Sequence, residues 1–162
     1  MPPFVFRFAA ATSLLASLAT CTTSKKDDPV ATPPAGINWT VDGSNLSTTT
    51  VQSQKFTSTI SVAGSIRANA NPTYLSLEFP NAVGTYTFSP TSNASASYTV
   101  SAVSPEVYYA GASASGTVTG AGTIVVTALS ATNVTGTFTF TGIDTNTGAA
   151  KSIRNGTFNV GL

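Results

Sequence analysis

Residues 37–162 hold four acidic side chains, Asp42, Glu78, Glu106 and Asp144, and the whole chain has no histidine. A serine or cysteine hydrolase would draw on a histidine as its base. A glycosidase needs two carboxylates about 5–10 Å apart in a cleft, and Glu78 and Glu106 are the pair on offer. Glu78, however, falls on the polar side of an alternating strand, where a solvated carboxylate is ordinary. The sequence therefore reads as a non-enzyme with no catalytic residue. Asp144-Thr145-Asn146-Thr147-Gly148 spaces oxygen ligands at alternate positions, as a calcium loop opens, but lacks the later acidic ligand that closes one. Asx and Gly residues also make a plain hairpin turn, so no metal or cofactor is expected. That leaves the aromatics Trp39, Tyr74, Tyr108 and Tyr109 as candidates for a ligand face, because sugar rings stack on exposed aromatic side chains. Tyr74 alternates with the apolar Leu75 and Leu77, and Tyr108 and Tyr109 are adjacent, so in a strand one of the two points away from the core. The competing role is structural, since aromatics are among the best strand formers.

The single cysteine, Cys21, follows an apolar stretch at 8–19 that is preceded by one cation, Arg7. Such a stretch fits a secretory signal and is too short to span a bilayer. Leu18-Ala19-Thr20-Cys21 resembles the lipobox of bacterial lipoproteins, in which the signal is cut before the cysteine and lipid is attached to it; Thr20 stands where a smaller residue is usual. The resemblance implies a signal peptide at 1–20 and a membrane anchor through lipid on Cys21. Several acyl chains on one residue anchor stably where one gives only marginal binding. Residues 21–36 then form the lipidated end and a flexible linker carrying Pro29, Pro33 and Pro34, with a reach on the order of 45–50 Å. Ser24-Lys25-Lys26-Asp27-Asp28 resembles the export signal of surface lipoproteins in a group of Gram-negative bacteria, which makes the outer membrane, surface side, the expected location. With no second cysteine there is no disulfide, so the core alone must hold the fold.

The elements that would position any site are strands. Charged residues are 8% of the chain, against about 25% for a typical globular protein, and Ser, Thr and Asn replace them. Net charge is +1, with scattered cations and no basic stripe, which argues against a nucleic-acid partner. In Thr137-Phe138-Thr139-Phe140-Thr141 the period of two puts both Phe on one face. Asp144 to Ala149 has turn chemistry, so 134–143 and 150–160 are expected to pair as a long hairpin. Ile153 and Phe158 are five apart, so a bulge at Asn155-Gly156 is needed to keep both inside, in preference to an Asn-Gly hairpin turn. Upstream, 37–41 reads as a strand turned by Asp42-Gly43, and 44–50 as an irregular edge. Phe56, Ser58, Ile60 and Val62 share one face of the next strand, Gly64-Ser65 turns it, and 66–69 returns. Leu75, Leu77 and Phe79 point in, as do Tyr86 and Phe88, and then Tyr98, Val100 and Ala102. Residues 106–110 make a brief strand.

Gly-Thr-apolar recurs at Gly84, Gly116, Gly122, Gly136 and Gly156. Its irregular spacing excludes a propeller or solenoid. The pattern reads as Gly at a turn or bulge, Thr to water and the apolar residue inside. Five Asn-x-Ser/Thr sequons, at Asn38, Asn45, Asn93, Asn133 and Asn155, follow from the composition. Roughly nine or ten short strands predict an all-β fold, a single antiparallel β-sandwich or small barrel-like domain over 37–162. Outward faces of Thr and Ser exclude a transmembrane barrel.

Asn38-Trp39-Thr40-Val41-Asp42-Gly43, the 80–88 stretch, Gly122-Thr123-Ile124-Val125-Val126-Thr127, the 136–141 strand and Asn155-Gly156-Thr157-Phe158-Asn159-Val160 together resemble a family of small bacterial lipoproteins of unknown function. The resemblance covers nearly the whole domain and implies an all-β lipoprotein without contributing a catalytic residue. The expected role is a lipid-anchored structural or binding module of the cell surface. Two alternatives stand beside it: a carbohydrate-binding module using exposed aromatics, and a subunit that pairs with a surface protein through an edge strand, for which Phe158, Val160 and Leu162 are the candidate edge.

Overall fold

The computed structural model describes residues 33–67, 72–89, 91–100, 105–112 and 120–162. The expected signal peptide, Cys21, the 24–28 charge run, residues 68 and 69 of the expected return at 66–69, Ala102 and the Gly116 copy of the Gly-Thr pattern lie outside the described residues. Every regular element described is a strand: β1 (Gly36–Val41), β2 (Ser44–Thr48), β3 (Val51–Lys55), β4 (Thr59–Ile66), β5 (Thr73–Pro80), β6 (Gly84–Phe88), β7 (Ser95–Val100), β8 (Glu106–Gly111), β9 (Ala121–Leu129), β10 (Asn133–Asp144) and β11 (Ala150–Gly161). All pairs are antiparallel. The strand order is β2-β1-β11-β10-β8-β7-β5-β4-β3, and β9 and β6 branch from β10. The sheet curls into a nearly closed, barrel-like shape. Its two outermost strands, β2 and β3, are joined only by Thr49 and Thr50, so the ends of the order are held together by the chain itself. Hydrogen bonds seal that corner: Thr48 Oγ1 donates to the Ser65 carbonyl at 2.7 Å, the Ser65 amide donates to the Thr50 carbonyl at 3.1 Å, and Ser53 Oγ donates to the Gly161 carbonyl.

The 137–141 alternation is met in β10, where Phe138 and Phe140 are buried and Thr137, Thr139 and Thr141 are exposed. One edge of β10 pairs with β11 along its length; the other is shared between β9, along Val134–Thr141, and β8, at Ile143 and Asp144. The bulge is present. Phe138 faces Gly156 and Phe140 faces Ile153, so β11 carries one extra residue, and Ile153, Gly156 and Phe158 all stay buried. The left-handed position falls on Asn155 (φ 50°), one residue before the expected glycine; Asn tolerates that conformation better than other side chains.

The Gly-Thr-aromatic pattern has a different cause from a turn. Gly136 lies opposite Phe158, and Gly156 lies opposite Phe138, a reciprocal exchange across β10 and β11. A Cβ on Gly136 would come within 2.4 Å of the Phe158 ring, and one on Gly156 within 2.5 Å of the Phe138 ring. The absent side chains are the space into which the rings lie. Phe138 and Phe158 then stand 6.4 Å apart, and Phe158 reaches Phe79 of β5 across the interior at 5.4 Å. Gly122 pairs with both Phe88 and Phe140, which meet edge-on at 6.0 Å, and a Cβ there would come within 2.5 Å of the Phe140 Cβ.

Four expectations are corrected. Residues 44–50 are not irregular, because β2 pairs with β1 through five residues. Phe56 is not on an inner face: it sits in the β3–β4 turn, where its amide donates to the Thr59 carbonyl, and is 46% exposed. Gly64-Ser65 does not turn the chain, since β4 continues through both to Ile66, paired on one side with β3 and on the other with β5. The terminal strand is not an open edge: Phe158 and Asn159 pair with β1 and β10 at once.

Replacing Gly136 with Ala forces a methyl into the Phe158 ring and is expected to destabilise the domain by about 1–3 kcal/mol, the usual cost of overpacking. Gly161→Ala meets only an ordinary 3.7 Å contact and is expected to stay within about 0.5 kcal/mol of the parent. Urea unfolding of both variants checks the contrast.

Candidate functional site

Two of the four candidate aromatics belong to the core. Trp39, on the inward face of β1 with Ile37 and Val41, is 2% exposed and meets Tyr98 of β7 edge-on at 6.5 Å between ring centres. Tyr108 is 5% exposed on the inward face of β8. Both are withdrawn from the surface, for the reason that makes aromatics good strand residues: their area is more stabilising inside. Tyr74 and Tyr109 remain on the outer face of β5, β7 and β8.

The register lays that outer face out in rungs. Ser65, Tyr74, Thr99 and Val107 form one; Gln52, Ala63, Ser76, Ser97 and Tyr109 the next; Gln54, Ser61, Glu78, Ser95 and Gly111 the third. Small hydroxyl residues of the second and third rungs leave a trough beside Tyr109. It consists of a groove of about 320 Å³ lined by Ser58, Thr59, Glu78, Ser92, Asn93 and Ser95, and one of about 280 Å³ lined by Ser76, Glu78, Ser95, Ser97 and Tyr109. Glu78 and Ser95 belong to both. A further groove of about 160 Å³ brings Tyr74 beside Gln52, Ser65, Arg67 and Ser76. The trough offers hydroxyl and amide donors and acceptors, one carboxylate and the Tyr109 ring, which is the chemistry of polar ligand binding. Glu106 is far from it: along β8 it is five residues beyond the rung of Glu78, roughly 16 Å, and on the opposite face. The two carboxylates a glycosidase would need are not brought together.

A second cluster, which sequence reasoning missed, closes one end of the barrel. Lys151 Nζ is 2.7 Å from Asp42 Oδ2 and lies 5.2 Å from the centre of the Tyr108 ring. The Tyr108 hydroxyl donates to Glu106 Oε2 at 2.8 Å. That bond to Glu106, helped by burial, pushes the Tyr108 phenol up to about 12. Asp144 is buried, and its Oδ1 accepts the Asn146 and Thr147 amides at 2.7 and 3.1 Å. These amide bonds hold its carboxyl below the usual 3.8, and they make the 144–148 segment an Asx turn. Among the described residues no group of three or more Cys, Asp or Glu is placed to hold a metal ion. No sequence signal announced the cluster, because Asp42 and Lys151 are 109 residues apart.

A family model described as Domain of unknown function (DUF6252) matches residues 43–160. No curated protein and no solved structure matches the chain. The matched span is well over half of the sequence, and the chain belongs to that family.

A folded-state carboxyl held below its unfolded value stabilises the fold above the unfolded pKa, and that contribution is lost as pH falls through the folded one. Asp144→Asn keeps an acceptor for the turn and removes the charge. It is expected to lower the urea midpoint at pH 7, and the gap from the parent is expected to close as pH drops below 3.8. Urea unfolding at stepped pH measures both.

Proposed function

We propose that this chain is an exported lipoprotein of the outer membrane, anchored through lipid on Cys21 and presenting a non-enzymatic β domain as a binding module at the cell surface. The observation that carries this reading is the place of Cys21: the sole cysteine, directly behind the apolar 8–19 stretch and ahead of a proline-bearing spacer. The start of β1 at Gly36, where the spacer ends, supports it. The charge run at 24–28 supports the surface side.

A glycan is the ligand class favoured by the trough. Its walls are serine and threonine hydroxyls, its one carboxylate can accept two sugar hydroxyls, and Tyr109 offers a ring at the rim. Pairing through an edge strand is a weaker reading, since the terminal strand is interior; β2, β3 and β6, each paired on one side, are the edges that such a partner would use.

Expressed in a lipoprotein-processing Gram-negative host with an alkyne-tagged fatty acid, the parent is expected to take up label and fractionate with membranes, whereas Cys21→Ala loses both properties. Label that persists in Cys21→Ala would sink the anchor. On a glycan array, Tyr109→Ala is expected to weaken binding roughly two- to tenfold, the worth of about 0.5–1.5 kcal/mol for one ring, and Glu78→Gln to weaken it as well. A folded parent that binds no glycan removes that ligand class and leaves the anchor standing.

A further inference from the structure

On β11, away from the trough, a groove of about 370 Å³ sets a guanidinium among oxygen groups; it is lined by Thr40, Asp42, Gly43, Ser152 and Arg154. Arg154 alternates with the buried Ile153, so it stands on the outer surface with Ser152, beside its β1 partner Thr40. The extra residue of the bulge is taken up next to it by Asn155 in its left-handed conformation.

Arg154 Nε donates to Ser152 Oγ at 3.0 Å, which engages one of the five N–H donors of the guanidinium. Among the described residues no carboxylate pairs with it. Asp42, the one acid lining the groove, is engaged by Lys151 at 2.7 Å, so its charge is already met and the Arg154 charge is not. The neighbouring groups keep bonding capacity for a ligand. Thr40 Oγ1 spends its proton on Asn45 at 2.8 Å and can still accept; Ser152 Oγ accepts from Arg154 and can still donate; Asp42 Oδ1 can accept hydroxyls.

We infer that this groove is a binding site for a carboxylate-bearing sugar, a hexuronate. A guanidinium presents a planar fork that matches a carboxylate with two parallel hydrogen bonds. The volume lies in the range of small-ligand sites, about 300–1,000 Å³. The other lining residues, Thr40, Asp42, Gly43 and Ser152, bring hydroxyls and a carboxylate that suit the hydroxyls of a sugar ring. The site needs neither the lipid anchor nor the tyrosine trough.

The test titrates the full-length chain carrying Cys21→Ser, by NMR or calorimetry, with glucuronate, glucose and acetate in parallel. Glucuronate is expected to bind about tenfold more tightly than glucose, as one charge-assisted bidentate contact warrants, and more tightly than acetate. Arg154→Gln, at an exposed position, is expected to keep the parent melting temperature and lose the preference for glucuronate; Tyr109→Ala is expected to keep that preference, which separates this groove from the trough. Equal binding of glucose and glucuronate, or a preference that survives Arg154→Gln, overturns the site. Acetate binding as tightly as glucuronate overturns its assignment to a sugar.

Discussion

Two residues, Thr49 and Thr50, separate the strands at the opposite ends of the sheet order, and the rest of the architecture follows from that short link. Laid out as an open sheet, the nine strands from β2 to β3 would hold the first and last tens of ångströms apart, at about 4.8 Å per strand. A two-residue connection spans about 10 Å at most. The sheet has to curl until β2 and β3 meet, and once curled it encloses an interior that must be filled. The filling is aromatic: Phe79, Phe88, Phe138, Phe140 and Phe158 form the middle, with Trp39 and Tyr98 packed against each other in the same core.

Rings of that size fit a narrow interior only where the facing strand gives way. The glycines opposite Phe138 and Phe158 do so, and their cost in chain entropy is set against dense ring packing. The outer surface then has little left to do for stability. It is paved with serine, threonine and asparagine, and the few charged groups can be placed by function. Most of them gather toward the Asp42–Lys151 end or along the bulged strand, and Glu78 stands by itself in the trough.

Much of this was legible in residue order. The Thr-Phe alternation fixed the faces of β10, the Asp144–Ala149 turn fixed the hairpin, and the odd spacing of Ile153 and Phe158 required a bulge. These are local signals, carried by period two and by turn chemistry. What escaped depended on pairing. The meaning of Gly136 and Gly156 emerges only when the two strands lie side by side. Trp39 and Tyr108 could not be told from surface aromatics without knowing which face of a curled sheet is inside. Phe56 fitted the inward phase of its neighbours Ile60 and Val62, but the turn begins before that phase can act. The trough and the ionic cluster are juxtapositions of distant segments, and alternation along one strand carries no trace of them.

The burial of Trp39 has a spectroscopic consequence. It is the only tryptophan in the chain, it belongs to the first strand of the domain, and its indole rests on Tyr98 from a strand that is not its neighbour in the sheet. The tryptophan emission of the protein is therefore that of a single indole buried in the core, with a tyrosine donor at contact range. A shift of that emission to the red would report one event, the parting of β1 from the opposite wall, without any label being introduced.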